Sequence, residues 1–383
     1  MVRFRPDSSV VKMYVCGPTP YDRLHLGHAR TFIFFDVLAR MLRRWGFTLN
    51  FIINFSDIAD EVIERARREN TSSAAIAKRF SEYCVGEMRS IHVVTPTAFP
   101  PASTFVPQAI RLVEQLIGEG WAYEAGGAVF FNSARSRALG WLSKAGRELQ
   151  GLRRYDLRVG KRDPSDFILW ERVDDEPGWE SPFGRGRPGW HLQDVSIAQA
   201  AFSGPYHIHG GAVELAYPHH ECQEMLGQAC THATPYVQNW VHVGLVTLGG
   251  RKMSKSRQNV LYVHEAVERW GADAVRLALL TRPQLEPLEA LPHLFDRARA
   301  VVQEIREMLV SGWGRAGGDA GRISEAAYQL LTYVRTGLHR GLDPDTLLQY
   351  VEALSSSREG VKGAIPALEI LGLEDCLKAI RGT

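Results

Sequence analysis

Residues 10–46 read VVKMYVCGPTPYDRLHLGHARTFIFFDVLARMLRRWG. The valine-rich run at the start is typical of a buried strand, and the apolar residues of the second half recur at helical spacing. Another apolar run, LNFIINF, follows Gly46 almost at once. A strand, a helix and a second strand in this order form a βαβ unit, whose two strands lie parallel in one sheet. This stretch therefore predicts an α/β fold.

The rest of the chain falls into segments of different character. From Thr95 to about Lys161 the sequence has an amphipathic segment and a hairpin that turns at Gly126-Gly127, which indicates an insertion. Strand-like runs resume at DFILW and YHIHGG, and the last part of the chain has a helical pattern. We predict an α/β domain over residues 1–94 and 162–259, an inserted subdomain over residues 95–161 and a helical bundle over residues 260–383.

The overall composition is that of a folded protein of two or three domains, with 383 residues, 45% of them hydrophobic and 23% charged. A net charge of +2 neither requires nor excludes a nucleic-acid partner, because such binding can depend on a local basic patch. Five scattered cysteines argue against a disulfide framework and indicate a reducing compartment. No apolar run of about 18 residues is present, so we expect a cytoplasmic protein without membrane contact.

The first motif, His25-Leu26-Gly27-His28, lies between the first strand and the first helix. A glycine allows close approach of the backbone to a ligand, and two imidazoles can donate hydrogen bonds to phosphate oxygens. The N-terminus of a helix adds backbone N–H groups and a partial positive charge, both of which favour an anion. Taken alone the motif is a weak indication, since such histidines also occur without a functional role.

The second motif, Lys252-Met253-Ser254-Lys255, lies in the basic, glycine-flanked run GGRKMSKSRQN. We expect a surface loop that the methionine anchors and the serines make mobile, and the plain alternative is a solvated turn. Lysines are suitable point charges for the β- and γ-phosphates of ATP. A loop that closes over them during the reaction would favour the transition state. The two motifs together therefore predict an ATP site.

The order of the two motifs, one after the first strand and the other after the last, resembles the class I aminoacyl-tRNA synthetases. Closer similarity covers most of residues 10–280, in the runs MYVCGPTPYDRLHLGHARTFIFFDVLAR, NFSDIADEVIERA, DFILW, GWESPFGRGRPGWH, IHGG, YPHHE and KMSKSRQN. These runs resemble cysteinyl-tRNA synthetase and equally the mycothiol ligase, a shortened relative that joins cysteine to glucosaminyl-inositol. The resemblance implies a Rossmann-like, parallel-sheet catalytic domain with an inserted connective subdomain, followed by a C-terminal helical bundle.

The resemblance also implies a set of site residues. The implied catalytic residues, which would act on ATP and Mg²⁺, are His25, His28, Lys252 and Lys255. Gly27, Met253 and Ser254 complete the ATP motifs, and Gly210 and Gly211 line the adenosine. The positions around the amino acid are Cys16, Gly17, Thr19, Ser56, Trp190, Asp194 and His219.

The zinc positions depart from the family's pattern. In the relatives a zinc ion binds the substrate thiolate. The ion is coordinated by two cysteines, a histidine and, in the tRNA enzymes, a glutamate. The matching residues here are Cys16, Asp194, His219 and Gln223. The first three can ligate zinc with an open fourth position, and an equally weighted alternative is a metal-free pocket in which Asp194 favours an ammonium or hydroxyl group. Cys222 is a further candidate ligand, although a packing role is favoured.

Three functions follow as hypotheses. We favour a ligase that forms an aminoacyl-adenylate and passes the aminoacyl group to a non-tRNA acceptor, either a small-molecule amine or a carrier. Both Asp194 and the expected lack of an anticodon-binding domain favour this reading. The first alternative is a truncated synthetase that charges tRNA with cysteine or another amino acid, which predicts a basic patch on the insertion. That patch would comprise Arg135, Arg137, Arg147, Arg153 and Arg154. The second alternative is a non-catalytic paralogue that senses an amino acid or binds a partner.

Overall fold

The computed structural model describes residues 8–142, 160–253 and 259–381. The strands are β1 (Val10–Val15), β2 (Thr48–Ile53), β3 (Ala122–Ala125), β4 (Ala128–Phe131), β5 (Phe167–Arg172), β6 (Gly186–Pro188), β7 (Tyr206–Ala212), β8 (Val237–Val243), β9 (Val246–Leu248), β10 (Arg251–Lys252) and β11 (Leu288–Glu289). The helices are α1 (Leu26–Arg44), α2 (Asp60–Arg68), α3 (Ser73–Ser90), α4 (Val106–Gly118), α5 (Trp190–Phe202), α6 (His219–Thr231), α7 (Val263–Trp270), α8 (Ala272–Leu279), α9 (Pro292–Trp313), α10 (Ala320–Arg340), α11 (Pro344–Leu354), α12 (Arg358–Leu371) and α13 (Glu374–Arg381).

Four strands form the central sheet, in the order β2-β1-β7-β8. β1 and β7 run parallel, with Met13 opposite Ile208 and Val15 opposite Gly210. Between β1 and β2 the chain forms α1, so the βαβ unit expected from residues 10–46 is present. The last residues of β1 are fully buried, as is usual for an interior strand of a parallel sheet. The predicted α/β class with a Rossmann-like parallel sheet is confirmed.

A second sheet, β3-β4-β5-β6, is antiparallel. β3 and β4 form the predicted hairpin, and its turn residues Gly126 and Gly127 have φ angles of 56° and 79°. Glycine adopts such angles without strain, and they suit the twist of a tight hairpin. β5, which contains FILW of the DFILW run, pairs with β4, whereas the sequence predicted this run within the α/β domain. A short apolar run does not specify its pairing partner, because tertiary packing decides it.

The chain separates by compactness into two units. The first unit comprises the described parts of residues 1–22, 50–82 and 97–241, and the second those of residues 23–49, 83–96 and 242–383. Each unit is therefore assembled from segments that are distant in the sequence. The three-part division expected from the sequence is based on changes in sequence character and not on compactness, and it stays a prediction.

A buried ion pair joins α1 and α8 in the second unit. Nη2 of Arg276 lies 2.8 Å from Oδ2 of Asp36, and neither side chain is exposed. Burial alone would raise the pKa of Asp36, but the charges of Arg276 and Arg40 and a hydrogen bond from Thr95 outweigh burial and lower that pKa. The carboxylate therefore stays ionised and ties the two helices together.

The C-terminal part of the chain is helical as predicted, with one exception. α9 to α13 follow one another from residue 292 to residue 381. Before them, β11 pairs in parallel with β9, with Leu288 opposite Val246, although the sequence predicted that the chain from about Val260 is almost wholly helical. A strand of two residues is too short to show a periodicity. β9, β10 and β11 form a small third sheet.

Two expectations from composition can be compared with the structure. None of the five cysteines is in a disulfide, as predicted. Four of them are buried and Cys230 is partly buried, which suits roles in packing or in polar clusters. Within the described ranges, no helix combines the length and the apolar character that crossing a membrane requires.

Candidate functional site

The histidines of the first motif cap helix α1. Nδ1 of His25 accepts the N–H of Gly27 at 3.0 Å, and Nδ1 of His28 accepts the N–H of His25 at 3.3 Å. The two rings stack with their centroids 3.9 Å apart. Because each Nδ1 is an acceptor, the neutral form of each ring carries its proton on Nε2. Nε2 of each ring is thus the atom that can donate to an anion.

The backbone contributes less to an anion site than the sequence suggested. The N–H of Leu26 donates to the carbonyl oxygen of Leu261 at 3.0 Å, and the N–H of Gly27 donates to the His25 ring. The expectation that a phosphate would meet the first N–H groups of α1 is therefore wrong for these two residues. Glycine is required at position 27 because of the His25 ring and not because of a ligand. A Cβ there would lie 2.7 Å from Cε1 of His25.

A short antiparallel bridge places the first motif beside the chain that follows the second. His25 pairs with Tyr262, and the N–H of Val263 donates to the carbonyl oxygen of Leu24 at 2.9 Å. Both segments belong to the second unit. The first motif is thus joined through the backbone to residues 261–263, which follow the second motif in the sequence.

The second motif begins in a strand. Lys252 lies in β10 and pairs with Thr247 across a turn of two glycines. The sequence predicted a loop at Lys252, but the positive φ angles of these glycines return the chain as a tight hairpin. Met253 is 2% exposed, which agrees with its expected anchoring role. Ser254 and Lys255 lie outside the described residues, so their roles stay predictions.

A buried polar group in the first unit consists of Cys16, Asp194, His219 and Gln223, here called the Asp194 cluster. Cys16 follows β1, Asp194 lies on α5, and His219 and Gln223 lie on α6. Oδ2 of Asp194 is 3.3 Å from Sγ of Cys16 and 2.8 Å from Nε2 of His219. One donor atom from each of these three residues lies within 4.8 Å of the others. The structure therefore brings the three candidate zinc ligands together.

Hydrogen-bond donors surround the Asp194 carboxylate, which is 2% exposed. Oδ1 accepts from Oη of Tyr14 at 3.1 Å and from Nδ2 of Asn54 at 2.8 Å. Oδ2 accepts from Nε2 of Gln223 at 2.8 Å and from Sγ of Cys16 at 3.3 Å. Asn54 also accepts the N–H of Gly17 at 2.8 Å. Tyr14 and Asn54 were not predicted as site residues, although both lie in runs that resemble the family, in MYVCG and at the start of NFSDIADEVIERA.

Burial controls the protonation states around the cluster. Burial raises the pKa of the Cys16 thiol well above its ordinary value, and the Asp194 carboxylate raises it further. Binding of a metal ion would therefore have to remove a proton from Cys16. Burial, with the nearby His219 and Lys161, lowers the pKa of His191 well below its ordinary value. Nδ1 of this neutral ring lies 2.8 Å from Nδ1 of His219.

The amide nitrogen of Gln223 lies among the three candidate ligand atoms. Its Nε2 is 2.7 Å from Nε2 of His219, 2.8 Å from Oδ2 of Asp194 and 3.8 Å from Sγ of Cys16. Sulfur, oxygen and imidazole nitrogen are the donor types that zinc takes, so the residues fit the ion in kind. An ion bound by all three would have to displace this amide.

A second possible ligand group shares the Cys16 sulfur. Nε2 of His209 and Nε2 of His220 lie 3.2 and 3.3 Å from Sγ of Cys16, and the three could hold a metal ion. His209 was not singled out from the sequence, although it precedes Gly210 in the IHGG run and lies opposite Tyr14 in the β1–β7 register. Cys222 belongs to none of the possible ligand groups found among the described residues and packs in the hydrophobic core.

The other candidate positions are placed as follows. The Trp190 ring stacks on His219 with centroids 3.8 Å apart and is 44% exposed. Ser56 is buried, and Thr19 lies in the loop after β1. Gly210 and Gly211 are the fifth and sixth residues of β7, and the carbonyl oxygen of Gly210 accepts the N–H of Cys16 at 2.9 Å.

Three of the five residues of the basic patch expected on the insertion, Arg147, Arg153 and Arg154, lie outside the described residues. The guanidinium of Arg135 lies 4.7 Å from the Trp121 ring centroid and donates to the carbonyl oxygen of Glu119. The patch stays a prediction.

Comparison with known proteins gives consistent matches. The family model described as tRNA synthetases class I (C) catalytic domain matches residues 4–299. A cysteine–tRNA ligase of Coxiella burnetii (strain Dugway 5J108-111) is 36% identical over 304 residues, which are 78% of this chain and 66% of that protein. The cysteine–tRNA ligase of Geotalea uraniireducens (strain Rf4) is 37% identical over 303 residues, which are 79% of this chain and 61% of that protein. The chain thus spans less than two thirds of the length of these relatives.

Solved structures with low sequence identity share the fold. Mycobacterium tuberculosis methionyl-tRNA synthetase in complex with methionyl-adenylate has a TM-score of 0.66 at 14% identity, covering 97% of this chain and 91% of that chain. The LeuRS-tRNA-LeuAMS ternary complex of Agrobacterium radiobacter K84 has a TM-score of 0.69 at 11% identity, covering 98% of this chain and 86% of that chain. At these identities the similarity concerns the fold alone.

Proposed function

This chain belongs to the family of class I (C) tRNA synthetase catalytic domains, and we propose on that premise that it activates an amino acid with ATP. A carboxylate oxygen of the amino acid attacks the α-phosphorus and forms a new P–O bond. The bond from that phosphorus to the oxygen that bridges it to the β-phosphorus breaks, and pyrophosphate leaves with the electron pair. The product is an aminoacyl-adenylate. Mg²⁺ would accompany the ATP phosphates, as it usually does.

The orientation of the first motif carries this proposal. Since backbone N–H groups occupy Nδ1 of His25 and Nδ1 of His28, each neutral ring presents an Nε2–H. These donors are held in place before the reaction, so they can stabilise developing negative charge without reorganisation. Lys252 and Lys255 would bind the β- and γ-phosphates, and the adenosine would lie along Gly210 and Gly211.

The amino acid would bind beside the Asp194 cluster, near Gly17, Thr19, Ser56 and Trp190. When bound, a zinc ion held by Cys16, Asp194 and His219 would bind a substrate thiolate, which selects cysteine. Without a metal, the same residues offer hydrogen bonds to another polar side chain. These two specificities differ in their requirement for zinc.

We propose that the aminoacyl group passes to an acceptor other than tRNA, either a small-molecule amine or a carrier. For an amine, the nitrogen attacks the carbonyl carbon, the bond to AMP breaks, and the nitrogen loses a proton. Asp194, which replaces the expected second cysteine, supports a specialised substrate. tRNA is the second candidate acceptor, and the identity of 36–37% to cysteine–tRNA ligases favours it. A cytoplasmic location stays a prediction for either acceptor.

Amino-acid-dependent exchange between pyrophosphate and ATP tests the activation step. The assay would cover the proteinogenic amino acids and several diamino acids, each with and without zinc. We expect exchange with at least one of them. If the folded protein shows no exchange with any, the non-catalytic alternative gains and the proposed activation fails.

The acceptor class needs a separate measurement. A gel shift with total tRNA, at low and high salt, reports electrostatic binding to nucleic acid. Weak binding is expected if the acceptor is a small molecule or a carrier. Tight, salt-sensitive binding would favour tRNA.

A further inference from the structure

We propose that Gln223 is an internal competitor for the metal position of the Asp194 cluster, so that its side-chain amide stands in place of a tightly bound zinc ion. The residue is 1% exposed, and its nitrogen lies within hydrogen-bonding range of all three candidate ligand atoms. An ion held by Cys16, Asp194 and His219 must lie between the same atoms. The amide and the ion therefore exclude each other.

The surrounding contacts determine how this amide is turned. If the amide oxygen pointed at the cluster, it would face Oδ2 of Asp194 at 2.8 Å, and two acceptors at that distance repel each other. With the nitrogen inward, its two hydrogens donate to Asp194 and to Nε2 of His219. His219 then carries its proton on Nδ1 and donates it to the neutral His191 ring at 2.8 Å.

The same arrangement explains how two acceptors lie so close together. In this tautomer Nε2 of His219 and Oδ2 of Asp194 both present lone pairs, and they are 2.8 Å apart. Such a pair is stable only if a cation or a donor bridges it. Gln223 supplies that bridge from within the chain. Binding of zinc must break both hydrogen bonds and also remove the Cys16 proton.

Zinc titration of three proteins tests the competition directly. The chain would be stripped with a chelator and titrated with Zn²⁺ against a chromophoric competitor. We expect Gln223→Ala to bind zinc about tenfold more tightly than the unmodified chain, because the competing donor is gone. Gln193→Ala is the matched control, since Gln193 is also buried but bonds to the carbonyl oxygen of Pro188. It should bind like the unmodified chain.

The direction of the change separates this proposal from its rival. If Gln223 were a ligand through its oxygen, Gln223→Ala would bind zinc more weakly, and the proposal would be overturned. Gln223→Glu should bind most tightly of all, since it replaces the competing donor with an anionic ligand.

A second measurement does not depend on how the variants fold. The unmodified chain, purified with added zinc and dialysed against a chelator, should retain far less than one zinc ion per chain. Retention of about one zinc ion per chain would overturn the proposal. Zinc content is read without turnover, so failure of the proposed amino-acid activation would leave this result unaffected.

Discussion

Nδ1 of His25 accepts the backbone N–H of Gly27 at 3.0 Å, so one ring both caps α1 and belongs to the ATP motif. Asparagine can replace the cap but not the imidazole. We expect His25→Ala to lower the free energy of unfolding by about 1 kcal/mol and to lose exchange activity. His25→Asn should keep the stability and lose the activity. Urea unfolding and pyrophosphate exchange measure the two effects, and an active His25→Asn protein would argue against the ring as a donor.

Lys255 is expected to act in the transition state rather than in ATP binding. Lys255→Ala should remove about 3 kcal/mol of transition-state stabilisation, which is roughly a hundredfold in kcat. The dissociation constant for ATP should change much less. Exchange kinetics and ATP titration of the same protein give both numbers. An unchanged kcat would remove Lys255 from the catalytic set.

Asp194 should control the ionisation of Cys16. Burial is the main reason why the pKa of Cys16 is raised, and the Asp194 charge adds to it. Asp194→Asn removes the charge but not the burial, so the pKa of Cys16 should fall while staying above its ordinary value. The thiolate absorbance, or the alkylation rate of Cys16 as a function of pH, measures this shift.

An internal control is available in the same experiment. The pKa of Cys222 is also raised by burial, with Glu221 as its nearby carboxylate. Its alkylation profile should not respond to Asp194→Asn. A Cys16 profile that does not move either would show that the two side chains are not coupled.

The Asp36–Arg276 pair should make stability depend on acid pH. Because the folded-state pKa of Asp36 is lowered, its contribution is fully present above the unfolded-state value of about 4. It is lost as the pH falls through the lower folded-state pKa. Asp36→Asn should therefore flatten the loss of stability below about pH 4 in urea unfolding. Asp345→Asn, which removes the exposed partner of Arg297, is the control and should have little effect.

Removing Arg276, the cationic partner of Asp36, should lower the free energy of unfolding at neutral pH. Arg276→Met leaves the Asp36 carboxylate buried without its principal cation. We expect a loss of about 3–5 kcal/mol in the free energy of unfolding. A loss below about 1 kcal/mol would mean that Arg40 and Thr95 alone hold the carboxylate.

Local sequence patterns were sufficient to predict the elements around β1 and the hairpin at Gly126-Gly127. Cys16, Asp194 and His219 were named as a group through the resemblance to family motifs, and periodicity did not contribute to that prediction. The pairing of β5 with β4 was not predictable, since an apolar run carries no information about its neighbour in a sheet.

At the candidate site, the sequence did not predict the contacts between residues that are distant from one another in the chain. His209 reaches Cys16 because β7 lies beside β1 in a particular register, and Asn54 reaches Asp194 from the end of β2. The inward turn of Gln223 depends on partners contributed by three separate elements. Such relationships exist only once the chain has folded.

The bridge between residues 24–26 and 261–263 is built from main-chain atoms alone. Any residue except proline supplies an N–H group, and every residue supplies a carbonyl. The hydrogen bonds of this junction therefore do not depend on side-chain identity at Leu26 or Val263, whose side chains are separately buried in the core, whereas a change to proline would cut the junction. The Asp194 cluster has no such tolerance, since each of its contacts needs a particular side chain. Over evolutionary time the position of the first motif beside residues 261–263 is thus insensitive to most substitutions, while the polar contacts around Asp194 are open to change by single ones.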